Sequence, residues 1–321
     1  MITLSKIAKE AHVSVSTASK AFSGSGEVNE ETRQQIFEVA KRYGCFKKFF
    51  NAKYSKFVIA VICPEFESVF YTTCLSHLCR NLEQEGCEVC VAESNFSKER
   101  EKALLDYYCQ YADVDGIIII SPRVRHYDFC EIPILCLGSV CSDENCAAIT
   151  CDLSTALGQG IDYLQERAVI SIGFIGESLT MGKFCGFKES LAKRGMPFRE
   201  EYVQIVQQRF EAGGYEAMER FFQKETLPRA IICAYDNMAM GTIRCIKDHG
   251  LRVPEDIAVM GMDDNPQSPY LVPPLASIAT KTEERCQLAA KSIIQMINGQ
   301  TIPQTQALQG EFQFRESFRI D

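Results

Sequence analysis

The chain has 321 residues, 46% apolar and 24% charged, which fits an ordinary globular protein with room for two or three domains. No opening apolar run resembles a signal peptide, and no stretch reaches the roughly 18 apolar residues of a membrane span, so a cytoplasmic protein with no membrane partner is expected. The net charge of −8 argues against nucleic acid only when taken whole: residues 1–56 hold ten Lys/Arg against five Asp/Glu, and the remainder holds 24 against 37. A basic head on an acidic body fits a DNA-binding module attached to a domain that stays off DNA.

The head reads as three helices. Thr3 is placed to cap a short first helix whose Ile7, Ala8 and Ala11 share one small apolar face. After a tight turn, Ser14 is placed to cap a second helix with a stripe of Ala18, Ala21 and Phe22. Its opposite face carries Ser16, Ser19 and Lys20, with Val15 at the leading end. Two such helices, packed through small residues, make a helix-turn-helix whose second helix enters a DNA major groove. Hydroxyls and a cation stand where a protein-facing surface needs apolar residues. Residues 23–28 form a loop, and a third helix from Asn29 to about Tyr43 completes the core with Ile36, Phe37 and Ala40. Gly44 to Lys56 is basic and aromatic; it reads as a linker that places Lys47, Lys48, Lys53 and Lys56 beside the DNA-reading module.

At Phe57 the pattern changes to α/β. Continuous apolar runs at 57–63 and 116–120 are those of strands buried on both faces of a parallel sheet. Further strands are expected at 89–92, 134–137, 148–150, 171–175, 202–206, 229–233 and 257–261. Helices are expected at 70–84, 98–111, 154–167, 183–194, 215–222 and 238–249. Two rounds of this alternation predict two doubly wound parallel-sheet lobes within residues 57–321, facing each other across a cleft.

In open sheets of this kind ligands sit beyond the carboxyl ends of the strands. That rule selects Pro64, Glu65, Phe66, Phe70 and Tyr71 after the first strand, Ser121 and Pro122 after the third, and Gly176, Ser178 and Lys183 in the second round. Tyr235 and Asp236, then Asp263 and Asp264, follow the last two strands. Carboxylates that accept from hydroxyls, flat rings and a cation suit a polyol. Phe70, Ser121, Lys183, Tyr235, Asp236 and Asp263 are therefore the candidate ligand contacts, although Asp236 also stands where a helix cap is expected.

Nothing in the pattern favours catalysis. Asp263 and Asp264 are adjacent, so their side chains diverge, and no Gly-x-Ser-x-Gly elbow, P-loop or His-Glu-x-x-His occurs. Gly158-Gln159-Gly160 lacks the third glycine of a dinucleotide fingerprint, and the four histidines lie far apart. Neither enzyme activity nor a cofactor is expected. The sixteen cysteines fall often within apolar runs, so reduced core thiols are expected. The five-residue spacing of Cys136, Cys141, Cys146 and Cys151 matches no usual zinc pattern, and no metal is expected.

Taken together, these residues resemble the lactose/galactose-repressor (LacI/GalR) family of bacterial transcription regulators. The likeness runs through Thr3–Ser23, Val28–Arg33, Tyr235–Gly241, Gly250–Ile257, Gly261–Asp264 and Phe314–Ser317. It implies a homodimer that binds a pseudo-palindromic operator in double-stranded DNA, with a periplasmic-binding-protein-like body crossed three times by the chain. The implied lobes are about 57–150 with 281–304, and 151–278 with 306–321. By position, Val15, Ser16 and Lys20 match base-reading residues, and Thr3, Ser14, Thr17 and Ser19 match phosphate contacts. Phe70, Lys183, Tyr235, Asp263 and, in some relatives, Asp236 match contacts to a small-molecule effector.

The chain departs from its relatives at several of these positions. Lys20 and Lys183 stand where arginine is usual, and lysine cannot form the bidentate fork. Gly44–Lys56 is about three residues shorter than the usual hinge and lacks its Pro-Asn, Ala-Arg and minor-groove leucine, which leaves Phe49, Phe50 or Tyr54 as candidate wedges. The expected function is ligand-responsive transcription regulation, with repression by a dimer under the control of a sugar or sugar derivative. The alternatives are a regulator with a nucleobase or protein effector, and a solute-binding protein.

Overall fold

Three capped helices make the head. The computed structural model describes residues 2–50, 56–127, 129–140 and 143–320, and the chain divides into two units between Phe57 and Val58. The helices α1 (Leu4–Glu10), α2 (Val15–Phe22) and α3 (Glu30–Arg42) start at Thr3, Ser14 and Asn29. The side-chain oxygens of these three residues accept from the backbone N–H of Lys6, Thr17 and Thr32. Ile7, Ala18, Ala21, Phe22, Ile36 and Ala40 are fully buried, so small residues let the helices approach around three large ones.

The segment after Gly44 is not simply a linker. Phe46–Phe49 forms a single turn, α4. Phe46 meets Phe37 edge-on at 4.9 Å, Phe49 lies 5.9 Å from Phe22, and Phe50 stacks on Phe46 at 4.9 Å. Phe46 and Phe49 extend the head's core, which a search for helical periodicity over so few residues does not detect. Phe49 is thus packed within the head and Phe50 stays exposed beside Phe46, whereas Lys53 and Tyr54 lie outside the described residues.

The body follows the expected alternation. Its first half holds β1 (Val58–Cys63), α5 (Val69–Gln84), β2 (Glu88–Glu93), α6 (Lys98–Gln110), β3 (Gly116–Ile120), β4 (Ile134–Leu137) and β5 (Cys146–Asp152). The second half holds α7 (Ser154–Gln165), β6 (Ile172–Glu177), α8 (Met181–Lys193), β7 (Val203–Val206), α9 (Phe210–Phe222), β8 (Ala230–Cys233), α10 (Asp236–Asp248) and β9 (Ala258–Met260). Then come β10 (Ser277–Ala279), α11 (Thr282–Ile297), β11 (Thr305–Gln309) and β12 (Glu311–Gln313). The first sheet has the order β11-β5-β4-β3-β1-β2 and the second β7-β6-β8-β9, with every pairing parallel. Helices cover both faces of the first sheet, so β3 is wholly buried and β1 is buried from Ile59 onward.

The chain passes between the sheets three times: after β5, between β10 and α11, and at Gly310 between β11 and β12. One expected boundary moves. Thr305–Gln309 pairs with β5, from Thr305 opposite Ala148 to Gln309 opposite Asp152, so this strand belongs to the first lobe and not, from 306, to the second. Its alternating half-exposed pattern is that of an edge strand and lacks the apolar run that marks the central ones. Helix α9 begins five residues earlier than expected, because Gly213 and Gly214 lower its propensity without breaking it.

The thiols are not all reduced. Cys109 and Cys130 form a disulfide, since the end of α6 and the loop before β4 bring their Cα atoms to 5.8 Å, within bonding range. Twelve other described cysteines are free, and Cys141 of the five-residue series lies outside the described residues. Among the described residues no helix is long and apolar enough to cross a membrane.

Candidate functional site

The head presents one outward face of α2. Ala18, Ala21 and Phe22 are buried, whereas Val15, Ser16, Ser19 and Lys20 are exposed beside Ser14, with Thr17 half-buried. The Ser14 hydroxyl accepts from the Thr17 backbone N–H at 3.0 Å and lies 2.7 Å from the Thr17 hydroxyl. At the start of α1, Thr3 Oγ1 accepts from Lys6 N–H at 3.4 Å. Neither helix has an acid in its first turn, so the positive ends of both dipoles remain available to an anion such as phosphate. Lys20 is ion-paired with Glu27.

Within the body a cavity of about 730 Å³ opens between the two sheets. The ends of β1, β3, β6, β7, β8 and β9 all deliver residues towards it, as the strand-end rule requires. Phe70, Ser121, Lys183, Tyr235 and Asp263 line it together. Lys183 Nζ donates to Asp263 Oδ1 at 2.8 Å and to the Ala234 carbonyl at 2.7 Å. Burial pushes the Asp263 carboxyl above its ordinary range, and Lys183 and Arg285 oppose that push. Asp264 turns away and lies 2.7 Å from Arg315. Ser121, Phe210 and Asp263, with φ of +50°, +58° and +101°, hold left-handed backbone on the cavity wall, where strained conformations concentrate at functional sites.

Asp236 is the exception among the candidate contacts. It does not line the cavity but is fully buried beneath it. Its carboxylate accepts from Asn265 N–H at 2.7 Å and from the hydroxyls of Ser268 at 2.6 Å and Ser277 at 2.5 Å. A Cβ at residue 261 would come within 2.2 Å of this carboxylate, so Gly261 is required for its placement. Burial, with a smaller contribution from the nearby Asp263 charge, pushes the Asp236 pKa up to about 7 against those hydrogen bonds. Asp236 therefore ties α10 to the segment after β9 and, unlike the other candidates, does not reach the cavity surface.

Several lining residues escape the selection made above. Arg209 donates two hydrogen bonds to Glu65, at 2.6 and 2.9 Å, and one to Glu177 at 3.1 Å. Tyr235 donates to Glu177 at 3.2 Å and accepts from Phe210 N–H at 3.0 Å. Glu65 follows β1 and Arg209 follows β7, so this network joins the two lobes across the cleft. Arg209 and Phe210 obey the same strand-end rule when it is applied after β7. Phe96 and Arg285 are contributed by a loop after β2 and by α11, and the rule does not reach a residue inside a helix. Tyr71, with its hydroxyl 3.3 Å from that of Ser121, lies between Phe70 at 5.1 Å and Phe96 at 5.8 Å. These rings form an aromatic wall, and burial pushes the Tyr71 pKa up to about 12.

Outside the cleft, Glu219, Cys245 and His249 each place one potential ligand atom within 4.8 Å of the others. The His249 ring stacks on Phe222 at 3.9 Å, and its Nδ1 lies 3.0 Å from the Cys245 carbonyl oxygen, contacts that seat the ring without an ion.

Residues 3–44 match the model of bacterial regulatory proteins of the lacI family, and residues 161–318 match a periplasmic binding protein-like domain. The chain is 25% identical to the HTH-type transcriptional regulator AscG of Escherichia coli (strain K12), over 99% of this chain and 98% of that one. In fold it resembles the Lac repressor dimer bound to operator and the anti-inducer ONPF, with a TM-score of 0.73, 21% identity and 99% of each chain covered. It also resembles the complex of the transcriptional regulator CelR with cellobiose, with a TM-score of 0.70, 23% identity, and 99% and 100% covered.

Proposed function

We infer that the chain is a DNA-binding transcription regulator of the lacI family of bacterial regulatory proteins, and propose that it is a repressor which clamps a pseudo-palindromic operator as a homodimer and answers to a sugar or sugar derivative in the interlobe cleft. The observation that carries the DNA half is the outward face of α2, where Val15, Ser16, Ser19 and Lys20 are exposed on a helix anchored by buried Ala18, Ala21 and Phe22. Val15, Ser16 and Lys20 read base edges, and Thr3, Ser14, Thr17 and Ser19 hold phosphates at the two helix starts.

The effector half rests on the joined Lys183–Asp263 pair within an aromatic-walled cavity. A carboxylate that accepts and an ammonium that donates suit vicinal hydroxyls, and Phe70, Tyr71 and Tyr235 offer flat faces for a sugar ring. The same rings favour one second reading, a planar nucleobase stacked between them. Either ligand bridges residues from both lobes and shifts the population of lobe arrangements by its differential affinity for them.

The test has two arms. DNA fragments captured by the purified protein give the operator, and the bound species on that operator should have the mass of two chains. A thermal-shift screen with sugars, sugar phosphates and purines then reads the cleft, because a ligand of the folded state raises the midpoint. A purine that shifts the midpoint while sugars do not would replace the sugar reading with the nucleobase one.

A further inference from the structure

Among the described residues Arg285 is a buried cation of the cleft that no carboxylate pairs directly. It lies on the first turn of α11, is 7% exposed and lines the cavity. Its guanidinium makes one hydrogen bond, a long one of 3.4 Å to the Thr280 hydroxyl, and its Nε has no partner. It sits 5.8 Å from the centre of the Phe70 ring. Among the described residues no ion pair includes it.

Two half-buried cations of the cleft are treated differently. Arg209 is held by two carboxylates and Lys183 by one carboxylate and a carbonyl. Arg125, also on the lining, is solvent-exposed and needs no partner. Asp263 is close enough for its charge to register that of Arg285, but it is already spent on Lys183 at 2.8 Å. A guanidinium cannot shed its proton inside a protein, so its burial without an anion is a standing penalty that an apolar side chain of similar size on Phe70 would avoid. Retaining such a group at the wall of a ligand cavity makes sense when the ligand supplies the anion.

We propose that the effector carries an anionic group, a carboxylate or a phosphate, which docks on the Arg285 guanidinium beside the Thr280 hydroxyl. The proposal rests on the reading of the cleft as the effector site. A planar guanidinium takes either anion through two parallel N–H···O bonds, and such charge-assisted bonds are roughly twice as strong as neutral ones. The polyol portion of the same molecule faces Lys183 and Asp263, so the class indicated is a sugar acid or a sugar phosphate, not a neutral sugar.

The experiment compares matched sets on the full-length protein: glucose and galactose, their uronates and their 6-phosphates, by thermal shift and calorimetry. The expected result is that a charged member binds at least about tenfold more tightly than its neutral parent. The carboxylate and phosphate arms identify which anion the site accepts. Arg285→Leu should erase that preference, so that charged and neutral members bind with equal affinity. In the absence of any ligand, Arg285→Leu should also raise the melting midpoint, because it removes a charge without a partner.

Equal affinity for neutral and charged members overturns the anion assignment and leaves the cleft reading intact. A lowered ligand-free midpoint in Arg285→Leu, with the charged ligand still bound as before, makes Arg285 a structural residue and also overturns it. If no member of either set binds, the sugar reading of the cleft falls and the sugar-anion proposal falls with it, whatever Arg285→Leu does to the midpoint.

Discussion

On the proposed reading Lys20 serves DNA binding and Asp263 the effector response, and each can be altered alone. Lys20 stands on the exposed face of α2, paired with Glu27 across the loop. Lys20→Ala is expected to weaken specific operator binding by about 1–3 kcal/mol and to leave non-specific binding at low salt nearly unchanged. Competition gel shifts with operator and scrambled DNA measure this, and equal losses on both would remove Lys20 from base reading. Asp263→Ala leaves the Lys183 ammonium without its carboxylate in the cleft. It is expected to abolish the effector response while operator affinity persists, which a dose–response curve on preformed protein–DNA complex reads directly.

Asp236 carries a pH signature of its own. Its folded pKa is raised to about 7, well above the ordinary carboxylate value near 4, so between those pH values the folded chain holds a proton that the unfolded chain has lost. Stability from this group is therefore fully present below about pH 4 and is lost as pH rises through about 7. Melting midpoints measured from pH 5 to 8 should fall with rising pH, and Asp236→Asn should flatten that slope. The role of this residue was only half readable in the chain. A carboxylate after a strand and before a helix suits both a ligand contact and a cap, and the three donors that claim it come from positions 265, 268 and 277.

Two elements behave otherwise than their local pattern suggests. The aromatic turn α4 is part of the head's core, with Phe46 packed between Phe37 and Phe50. Phe46→Ala is expected to lower the stability of the head by about 2 kcal/mol, the burial value of a large apolar side chain. Faster amide exchange across α3, followed by mass spectrometry, is the measurement; unchanged exchange would make α4 a passive tether. The second element is the clasp in which Arg209, at the start of α9, joins Glu65 beyond β1 to Glu177 at the end of β6. Breaking its long reach with Glu65→Gln leaves Arg209 bound to its own lobe through Glu177. The ligand-free body should then open, which small-angle scattering detects as a larger radius of gyration that effector reverses. No change in scattering removes the clasp from the control of the cleft.

For the molecule as a whole, the division between Phe57 and Val58 predicts separable parts. A chain lacking residues 1–56 should melt cooperatively and keep its effector shift, but no longer retard operator DNA; retained binding would move the DNA surface onto the acidic body. Light scattering on the same fragment tests whether the body alone makes the dimer.

Helix caps, apolar periods and strand runs were legible from the chain because each is a contract between residues a few positions apart. Thr3, Ser14 and Asn29 announce helices, and the Ile/Val runs of β1 and β3 announce buried strands. The strand-end rule carried that local reading as far as Phe70, Ser121, Lys183, Tyr235 and Asp263. What tertiary structure alone decided are partnerships between distant positions: Glu65 with Arg209, 144 residues apart, Asp236 with Ser277, Cys109 with Cys130, and β11 with β5. Arg285 belongs with them, since whether a buried charge is neutralised depends on every element that folds around it. The physical reason is the same throughout. A backbone preference is set by neighbours in sequence, whereas the pairing of a charge, a thiol or an edge strand is set by neighbours in space, and three passages between two sheets bring those neighbours from opposite ends of the chain.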